Sequence, residues 1–473
     1  MANYVLSAKR MRDSHHMHQI PESVLSVLSD LTGDSSGAIE ESFQQPVGTS
    51  VRVNRKKLRG ELNLEHVSWC DSGYFLPHRP NFALDPLFHA GAYYVQEASS
   101  MFLEEVLKQH IPLNEPLAVL DLCAAPGGKS THLLSLISDE SLLVSNEVIR
   151  ARANILSENL TKWGYPNQAV ISRDPSVIGN SGIHFDLVVV DAPCSGEGLF
   201  RRDNEAINHW SEENVQLCSL RQRRILADIW PALKPGGWLI YSTCTFNKLE
   251  NEENLKWLSE QFDAECLRLQ LNDDRILETE EGNYFCYRFL PNRVNSEGFF
   301  ISIFKKNGER ITDTFQQNSS KRNKIDLPPD LLQLNENVTP QKMGDSIRVL
   351  PAGWTNFLNQ LEKLRPISIG TTVGEWKGKD FRPDQALANS VLISERIAQI
   401  ELDHDEALDF LSRTELRRSE TPGWKLMTFD HVALGFAKSI GNRLNNNFRK
   451  EWRLRLDHRQ RKGEIFSIHS FFK

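Results

Sequence analysis

The sequence lacks the features that mark membrane, secreted and zinc-ribbon proteins. No uninterrupted apolar stretch reaches the roughly 18 residues of a membrane span, and residues 1–10 lack the apolar core of a signal peptide. The 7 cysteines include no Cys-x-x-Cys pair, which argues against a disulfide framework and a zinc ribbon. His15, His16 and His18 lie among Asp and Ser, which favours a solvated surface over a metal site. We therefore expect a cytoplasmic protein with reduced thiols, no membrane association and no metal site.

The chain also lacks an excess of positive charge. It has 55 Lys and Arg residues against 62 Asp and Glu residues, so its formal net charge is −7. Overall composition therefore gives no sign of nucleic-acid binding, and any such surface must be a local basic patch. The length of 473 residues suggests roughly three domains at about 150 residues each.

A glycine-rich turn at residues 124–131 follows an apolar strand at 117–123 and precedes a helix. This arrangement is typical of a nucleotide-binding loop, because small residues let the backbone approach the ligand and the helix N-terminus faces it. Cys123 stands where a Walker A loop has its first glycine, and the G-x-G-x-x-G dinucleotide fingerprint is absent. These absences favour a nucleoside ligand without phosphates, such as S-adenosyl-L-methionine.

The next strand, at residues 142–147, supports this ligand. It ends in Glu147, which lies 20 residues after Gly127, and that spacing lets a carboxylate accept hydrogen bonds from both ribose hydroxyls. An ordinary surface glutamate is the alternative. Asp174 follows a third strand and is placed to reach the exocyclic amine of an adenine. The residues that we expect to contact the cofactor are Cys123, Ala124, Ala125, Pro126, Gly127, Gly128, Lys129, Glu147, Arg152, Asp174 and Asp191.

Two cysteines, Cys194 and Cys244, each follow a continuous apolar run, at residues 185–190 and 238–241. Such runs are typical of buried parallel strands. Both cysteines should therefore lie at the carboxyl edge of a sheet, where open α/β folds bind ligands. A lone cysteine is more often a buried structural thiol. Two cysteines at strand ends, one of them beside Asp191, favour a chemical role.

Basic side chains occur at three places that suit contacts with phosphate. Residues 50–57 alternate like a strand and then turn basic, so they form either a half-exposed edge strand or a phosphate-contacting strand. Arg201-Arg202 suits phosphate contacts, with a local salt bridge to Asp203 or Glu205 as the alternative. The basic tail at residues 449–462 either binds RNA or is a solvated end.

The composition changes near residue 305. The segment up to about residue 345 is rich in Lys, Asn, Gln and Ser and poor in large apolar residues, which indicates a linker. Beyond it, short strands, glycine turns and interleaved Trp, Lys and Arg residues indicate a small β-rich RNA-binding module.

Four ordered motifs resemble those of the RNA 5-methylcytosine methyltransferases, the Fmu/NOL1/NOP2/Sun family. They are D-x-C-A-A-P-G-G-K ending at Lys129, Asn146-Glu147, D-A-P-C-S-G from Asp191, and Y-S-T-C-T from Tyr241. The match covers about residues 45–305, and the C-terminal region is similar to the PUA-like extension of the RsmF subgroup, which methylates small-subunit ribosomal RNA. The resemblance implies an α/β fold: a Rossmann-like class I S-adenosylmethionine-dependent methyltransferase with a small N-terminal α/β region and a C-terminal β-rich PUA-like domain.

On this resemblance we expect four regions. They are an N-terminal RNA-binding region at 1–80, a methyltransferase domain at 81–305, a linker at 306–345 and a C-terminal PUA-like RNA-binding region at 346–473. The expected activity is methylation of carbon-5 of a cytosine, in small-subunit ribosomal RNA or the small ribosomal subunit, by a monomeric enzyme. Transfer RNA is the alternative substrate, and a non-catalytic RNA-binding ribosome assembly factor is the alternative function.

The chemistry of this reaction explains why two thiols and a carboxylate are needed. Carbon-5 of cytosine is a poor nucleophile until a thiolate adds to carbon-6, which divides one difficult step into two easier ones. Asp191 is placed to stabilise ring nitrogen-3, and the base must be unstacked to be reached. The chemistry alone does not assign the two thiols. The resemblance implies that Cys244 attacks and Cys194 assists release, whereas in DNA cytosine methyltransferases the Pro-Cys thiol attacks.

Overall fold

The computed structural model describes residues 19–310, 325–455 and 466–472. The histidine cluster at residues 15–18 lies outside these ranges, as do residues 311–324 of the predicted linker and 456–462 of the basic tail. None of the helices that the structure describes is long and apolar enough to cross a bilayer.

Helices and strands are distributed over three successive parts of the chain. The first contains α1 (Glu22–Thr32), α2 (Ser36–Gln44), β1 (Thr49–Val53), β2 (Gly73–Leu76), α3 (Pro86–His89) and β3 (Tyr93–Val95). The second contains α4 (Leu103–His110), β4 (Ala118–Asp121), α5 (Gly128–Leu136), β5 (Leu142–Asn146), α6 (Arg150–Trp163), β6 (Gln168–Ile171), α7 (Pro175–Gly179), β7 (Phe185–Asp191), α8 (Asn204–His209), α9 (Glu212–Ile229), β8 (Leu233–Thr243), α10 (Glu252–Gln261), β9 (Ala264–Cys266), β10 (Leu277–Glu281), β11 (Tyr284–Phe289) and β12 (Phe299–Lys306). The third contains β13 (Val338–Met343), β14 (Ser346–Pro351), α11 (Thr355–Glu362), β15 (Ser368–Ile369), β16 (Thr371–Lys377), β17 (Asp380–Pro383), α12 (Gln385–Ala388), β18 (Gln399–Glu401), α13 (His404–Ser412), β19 (Gly423–Phe429), β20 (Val432–Ser439) and β21 (Leu444–Asn446).

The central sheet has the order β10-β11-β12-β8-β7-β4-β5-β6-β15, and β9 pairs with β12. Strands β4 to β8 are parallel, and β12 runs antiparallel to β8. Their interior residues are apolar on both faces because helices cover both sides, α4, α5 and α6 on one and α7, α9, α10 and α11 on the other. From β4 the chain adds β5 and β6 on one side of β4, and it then crosses back to add β7 on the other side. A reversal of this kind places a ligand site at the carboxyl ends of the strands.

The first part of the chain forms an antiparallel sheet in the order β2-β1-β3. Strand β1 is therefore central, and its prediction as a half-exposed edge strand is wrong. Its Arg52 is buried, donates hydrogen bonds to Gln96 and Thr131, and lies over the ring of Trp163. Burial lowers the pKa of the Arg52 guanidinium to about 10. This arginine therefore ties β1 to the central sheet and its helices.

The last part of the chain forms two four-stranded sheets, β13-β14-β16-β17 and β18-β19-β20-β21. Strand β15 leaves this part and pairs with β6 at the edge of the central sheet.

Three features cross the predicted domain limits: β15 joins the central sheet, β3 lies beyond residue 80, and β13 lies inside the predicted linker. The linker prediction differs from the structure because its few apolar residues, among them Leu331 and Val338, pack into a C-terminal core.

Candidate active site

The site lies where the parallel strands end. The structure brings the turn after β4, Glu147 after β5, Asp191 at the end of β7, and Cys244 just after β8 to one edge of the sheet. This agrees with the prediction from the apolar runs, since parallel neighbours end on the same side.

The glycine turn is held in place by the strand and helix that follow it. Gly127 precedes α5 with a φ of 117°, which only glycine adopts readily. The N–H of Ala124 donates to the carbonyl of Asn146 over 2.9 Å, and the Arg152 guanidinium donates to the carbonyl of Ala125 over 2.9 Å. The turn therefore presents its backbone and the N-terminus of α5 to the edge of the sheet.

Glu147 is only 6% exposed, so its interpretation as a surface glutamate is wrong. Its carboxylate accepts the N–H of Ile149 over 2.9 Å and lies 3.3 Å from the Arg152 guanidinium. A buried carboxylate fixed at a strand end retains acceptor capacity for hydroxyl groups.

Asp121, at the end of β4, was not among the predicted site residues. One carboxyl oxygen accepts from the Ser130 hydroxyl over 2.6 Å, while the other is buried without a partner among the residues that the structure describes. Burial raises the pKa of this carboxyl to about 7. A buried acceptor without a donor beside a glycine turn and Glu147 fits a nucleoside rich in hydroxyl and amino groups, so the residues present suit S-adenosylmethionine.

Asp174 has a different local role. Its carboxylate accepts the backbone N–H and hydroxyl of Ser176 over 3.1 and 2.8 Å, which caps α7. Its second oxygen lies 3.3 Å from the Arg224 guanidinium. The hydrogen bonds from Ser176 lower the pKa of Asp174. Its predicted contact with adenine stays a prediction.

Asp191 links the glycine turn to the cysteine strands. One oxygen lies 2.9 Å from the Lys129 ammonium, and the other accepts the Ser242 hydroxyl over 2.8 Å. The Lys129 ammonium also lies 5.0 Å from the centre of the Phe299 ring. A carboxylate and a lysine thus meet between the turn and β8.

The sulfur atoms of Cys194 and Cys244 are 3.1 Å apart. The N–H of Cys244 also donates to the sulfur of Cys194 over 3.4 Å. The side-chain hydrogen bond with Cys244, together with burial, raises the pKa of the Cys194 thiol well above its ordinary value. All 7 cysteines are free thiols. The sequence prediction that these two cysteines meet at one sheet edge therefore agrees with the geometry.

The two arginines of the loop after Cys194 make other contacts than those predicted. Arg201 donates to the backbone carbonyls of Ser296 and Gln45 over 2.6 and 3.0 Å, and Arg202 pairs with Glu297 at 3.0 Å. The loop thus folds back against the segment before β12, and the predicted phosphate contacts and local salt bridge stay predictions.

Comparison with known proteins identifies the family. The chain matches the family of the 16S rRNA methyltransferases RsmB/F over residues 109–305, the N-terminal domain of RsmF over 20–98 and the RsmF PUA domain over 398–454. Ribosomal RNA small subunit methyltransferase F of Pectobacterium atrosepticum is 30% identical, with 91% of this chain and 95% of that protein covered. The chain belongs to the RsmF family. It is an RNA methyltransferase that uses S-adenosylmethionine.

Further relatives of this RsmF-family protein agree. The protein of the same name from Cronobacter sakazakii is 29% identical, with 91% of this chain and 96% of that protein covered. A methyltransferase homolog protein from Pyrococcus horikoshii aligns with a TM-score of 0.50 and 27% identity over 61% of this chain and 100% of that chain. NSun6 from the same organism aligns with a TM-score of 0.51 and 19% identity over 61% and 99%. The predicted Rossmann-like fold with a C-terminal PUA-like domain is confirmed.

Proposed function

We propose that this protein transfers the methyl group of S-adenosylmethionine to carbon-5 of a cytosine in small-subunit ribosomal RNA. The observation that carries the proposal is the pair of thiols 3.1 Å apart, beside the Asp191 carboxylate and the glycine turn. The names of the curated relatives support the small-subunit substrate.

Cys244 is the proposed nucleophile, and its thiolate adds to carbon-6 of the unstacked base. The raised pKa of Cys194 supports this assignment, because Cys194 then keeps its proton while the sulfur of Cys244, 3.1 Å away, attacks. After methyl transfer a base takes the carbon-5 proton, the double bond between carbon-5 and carbon-6 forms again, and the bond from carbon-6 to sulfur breaks to release the Cys244 thiolate. Cys194 assists this release. Asp191, held by Ser242 and Lys129, faces ring nitrogen-3 and stabilises the charge that develops there.

The bound cofactor supplies an electrophilic methyl group, and the chain positions it. Glu147 accepts hydrogen bonds from the ribose hydroxyls, Arg152 fixes both Glu147 and the turn, and Asp174 faces the adenine. The proposed binding residues are Cys123, Ala124, Ala125, Pro126, Gly127, Gly128, Lys129, Glu147, Arg152, Asp174 and Asp191.

Transfer of a tritiated methyl group tests the proposal. Naked small-subunit ribosomal RNA, assembled small subunits and transfer RNA are offered separately, and bisulfite sequencing then locates the modified cytosine. We expect transfer to the ribosomal substrate. Transfer to transfer RNA would support the alternative substrate, and no transfer to any of the three would support a non-catalytic assembly factor.

We also propose that the protein acts as a monomer in the cytoplasm. The 7 free thiols support a reducing compartment. Light scattering coupled to size exclusion measures the oligomeric state, and a mass of twice the chain would contradict the monomer.

A further inference from the structure

The two loops that carry the cysteines each supply a buried glutamate to the backbone of the other loop. Glu197, from the Cys194 loop, accepts the N–H groups of Phe246 and Asn247 over 2.6 and 3.0 Å. Glu250, from the Cys244 loop, accepts the N–H of Ser195 with both oxygens, over 3.0 and 3.3 Å. We call this reciprocal pair, Glu197 and Glu250, the carboxylate clamp.

Asn247 joins the two halves of the carboxylate clamp. Its side-chain amide donates to Glu197 over 3.0 Å and to Glu250 over 2.8 Å. Two further side chains donate to the clamp: the indole of Trp210 to Glu197 over 3.1 Å, and the amide of Gln222 to Glu250 over 2.6 Å. These partners are all N–H donors, so both glutamates have to act as acceptors, as ionised carboxylates do.

Direct contacts between the two loops also hold the two cysteines next to each other. The N–H of Gly198 donates to the carbonyl of Cys244 over 2.9 Å, and the hydroxyls of Ser195 and Thr245 are 2.9 Å apart. Each clamp carboxylate binds backbone within three residues of the opposite cysteine. A change in either carboxylate therefore shifts one sulfur relative to the other.

We propose that Glu197 and Glu250 are positioning residues that keep the two catalytic thiols in contact during attack and release. This inference rests on the proposed function, because it assigns the clamp to the cysteine-dependent reaction. A displacement of about 1 Å at a reacting group lowers rates by about 100-fold. Glu250 has a second effect: its negative charge contributes to the raised pKa of Cys194 and so helps that thiol keep its proton.

The test compares Glu197→Gln and Glu250→Gln with a matched control, Asp186→Asn. Asp186 is also a buried carboxylate on β7, and it accepts the N–H of Ala118 over 2.9 Å, but it lies at the opposite end of the strand. In each clamp variant, the new glutamine amide brings its own N–H group to face the N–H donors that the carboxylate had accepted. At least one of these hydrogen bonds is therefore lost. We expect kcat to fall by about 100-fold, with the KM for RNA and the Kd for S-adenosylmethionine unchanged. The control should keep its kcat per folded molecule within about twofold of the parent.

A second readout isolates the attack step. In a Cys194→Ala background, which should trap the covalent RNA adduct, Glu250→Gln should reduce the rate of adduct formation by a similar factor. Asn247→Ala, which keeps both carboxylates, is the milder variant to use if a glutamine variant does not fold. An unchanged kcat per folded molecule in folded clamp variants would overturn the inference. Failure of the parent enzyme to methylate any RNA would instead overturn the proposed function.

Discussion

Strand β7 carries a carboxylate near each end, and each carboxylate pairs with a lysine from another part of the chain. The two pairs differ in how far they are exposed to solvent. At its start, Asp186 lies 3.0 Å from Lys234, and both side chains are 6% exposed. At its end, Asp191 lies 2.9 Å from Lys129, but the Asp191 side chain is 37% exposed. The first pair is closed, since Asp186 also accepts the N–H of Ala118. The second is open, since the Asp191 side chain is partly exposed. One strand thus presents a closed pair at one end and, on the proposed function, a reactive pair at the other.

The strongest way to sharpen this comparison is to remove the thiols beside the open pair. Cys244→Ala should abolish turnover, because no other thiolate is assigned to attack carbon-6. Cys194→Ala should instead accumulate a covalent RNA adduct, visible as a gel shift that survives denaturation. If Cys244→Ala forms the adduct, the two roles are reversed.

The open and closed pairs themselves should respond differently to loss of charge. Asp191→Asn should lower the single-turnover rate by about 100- to 1,000-fold, the usual cost of losing a group that stabilises developing charge. Asp186→Asn should instead lower the free energy of unfolding by about 3 kcal/mol, because it removes the carboxylate from a buried ion pair with Lys234. Denaturant titrations and single-turnover rates measure both effects. Equal effects of the two variants on rate would break the comparison.

A smaller effect is expected from Glu147, the carboxylate proposed to bind the cofactor. Glu147→Ala should weaken S-adenosylmethionine binding by roughly 10- to 100-fold, because each charge-assisted hydrogen bond contributes about 1.5–3 kcal/mol. Calorimetry measures the affinity. Glu158→Ala is the control, since Glu158 lies on the same helix as Arg152 and pairs with Lys162 at 2.6 Å. Unchanged affinity in Glu147→Ala would remove this residue from the site.

The smallest expected effect is on the pH profile. Burial raises the pKa of Glu250, and the charge of Glu197 adds to the shift, although the hydrogen bonds from Ser195, Asn247 and Gln222 oppose it. As pH falls through this raised pKa, the carboxyl gains a proton, loses its acceptor role and weakens the clamp. The parent kcat should therefore decline at a higher pH than the ordinary glutamate pKa of about 4.3 would cause. The residual activity of Glu250→Gln should lack this decline at acidic pH. If the decline persists in the variant, a group other than Glu250 causes it.

Much of the fold follows from local patterns. Helix α6 is an example: it ends at Trp163 because Gly164 follows with a left-handed φ of 89°, and a glycine at this place is a local signal for the end of a helix. The strands before Cys194 and Cys244 are buried on both faces, as their continuous apolar runs indicate. Strand ends can be located in this way because they depend on a few neighbouring residues.

The remaining features involve partners that lie far away in the chain. Strand β15 has two residues, too few for any periodic signal, yet it completes the central sheet. Arg52 resembled an exposed basic residue, but its buried position depends on Trp163 and Thr131 from other elements. The carboxylate clamp was missed because Glu197 meets backbone almost 50 residues further along the chain.

The sequence by itself determined which side chains stand at the ends of the parallel strands, and so which thiols and carboxylates share an edge. Only the tertiary structure decided that the two sulfurs lie 3.1 Å apart and that two glutamates hold their loops in that register. The reason is physical: a strand ends where its local apolar pattern ends, whereas a hydrogen bond across two loops depends on how the whole sheet brings those loops together.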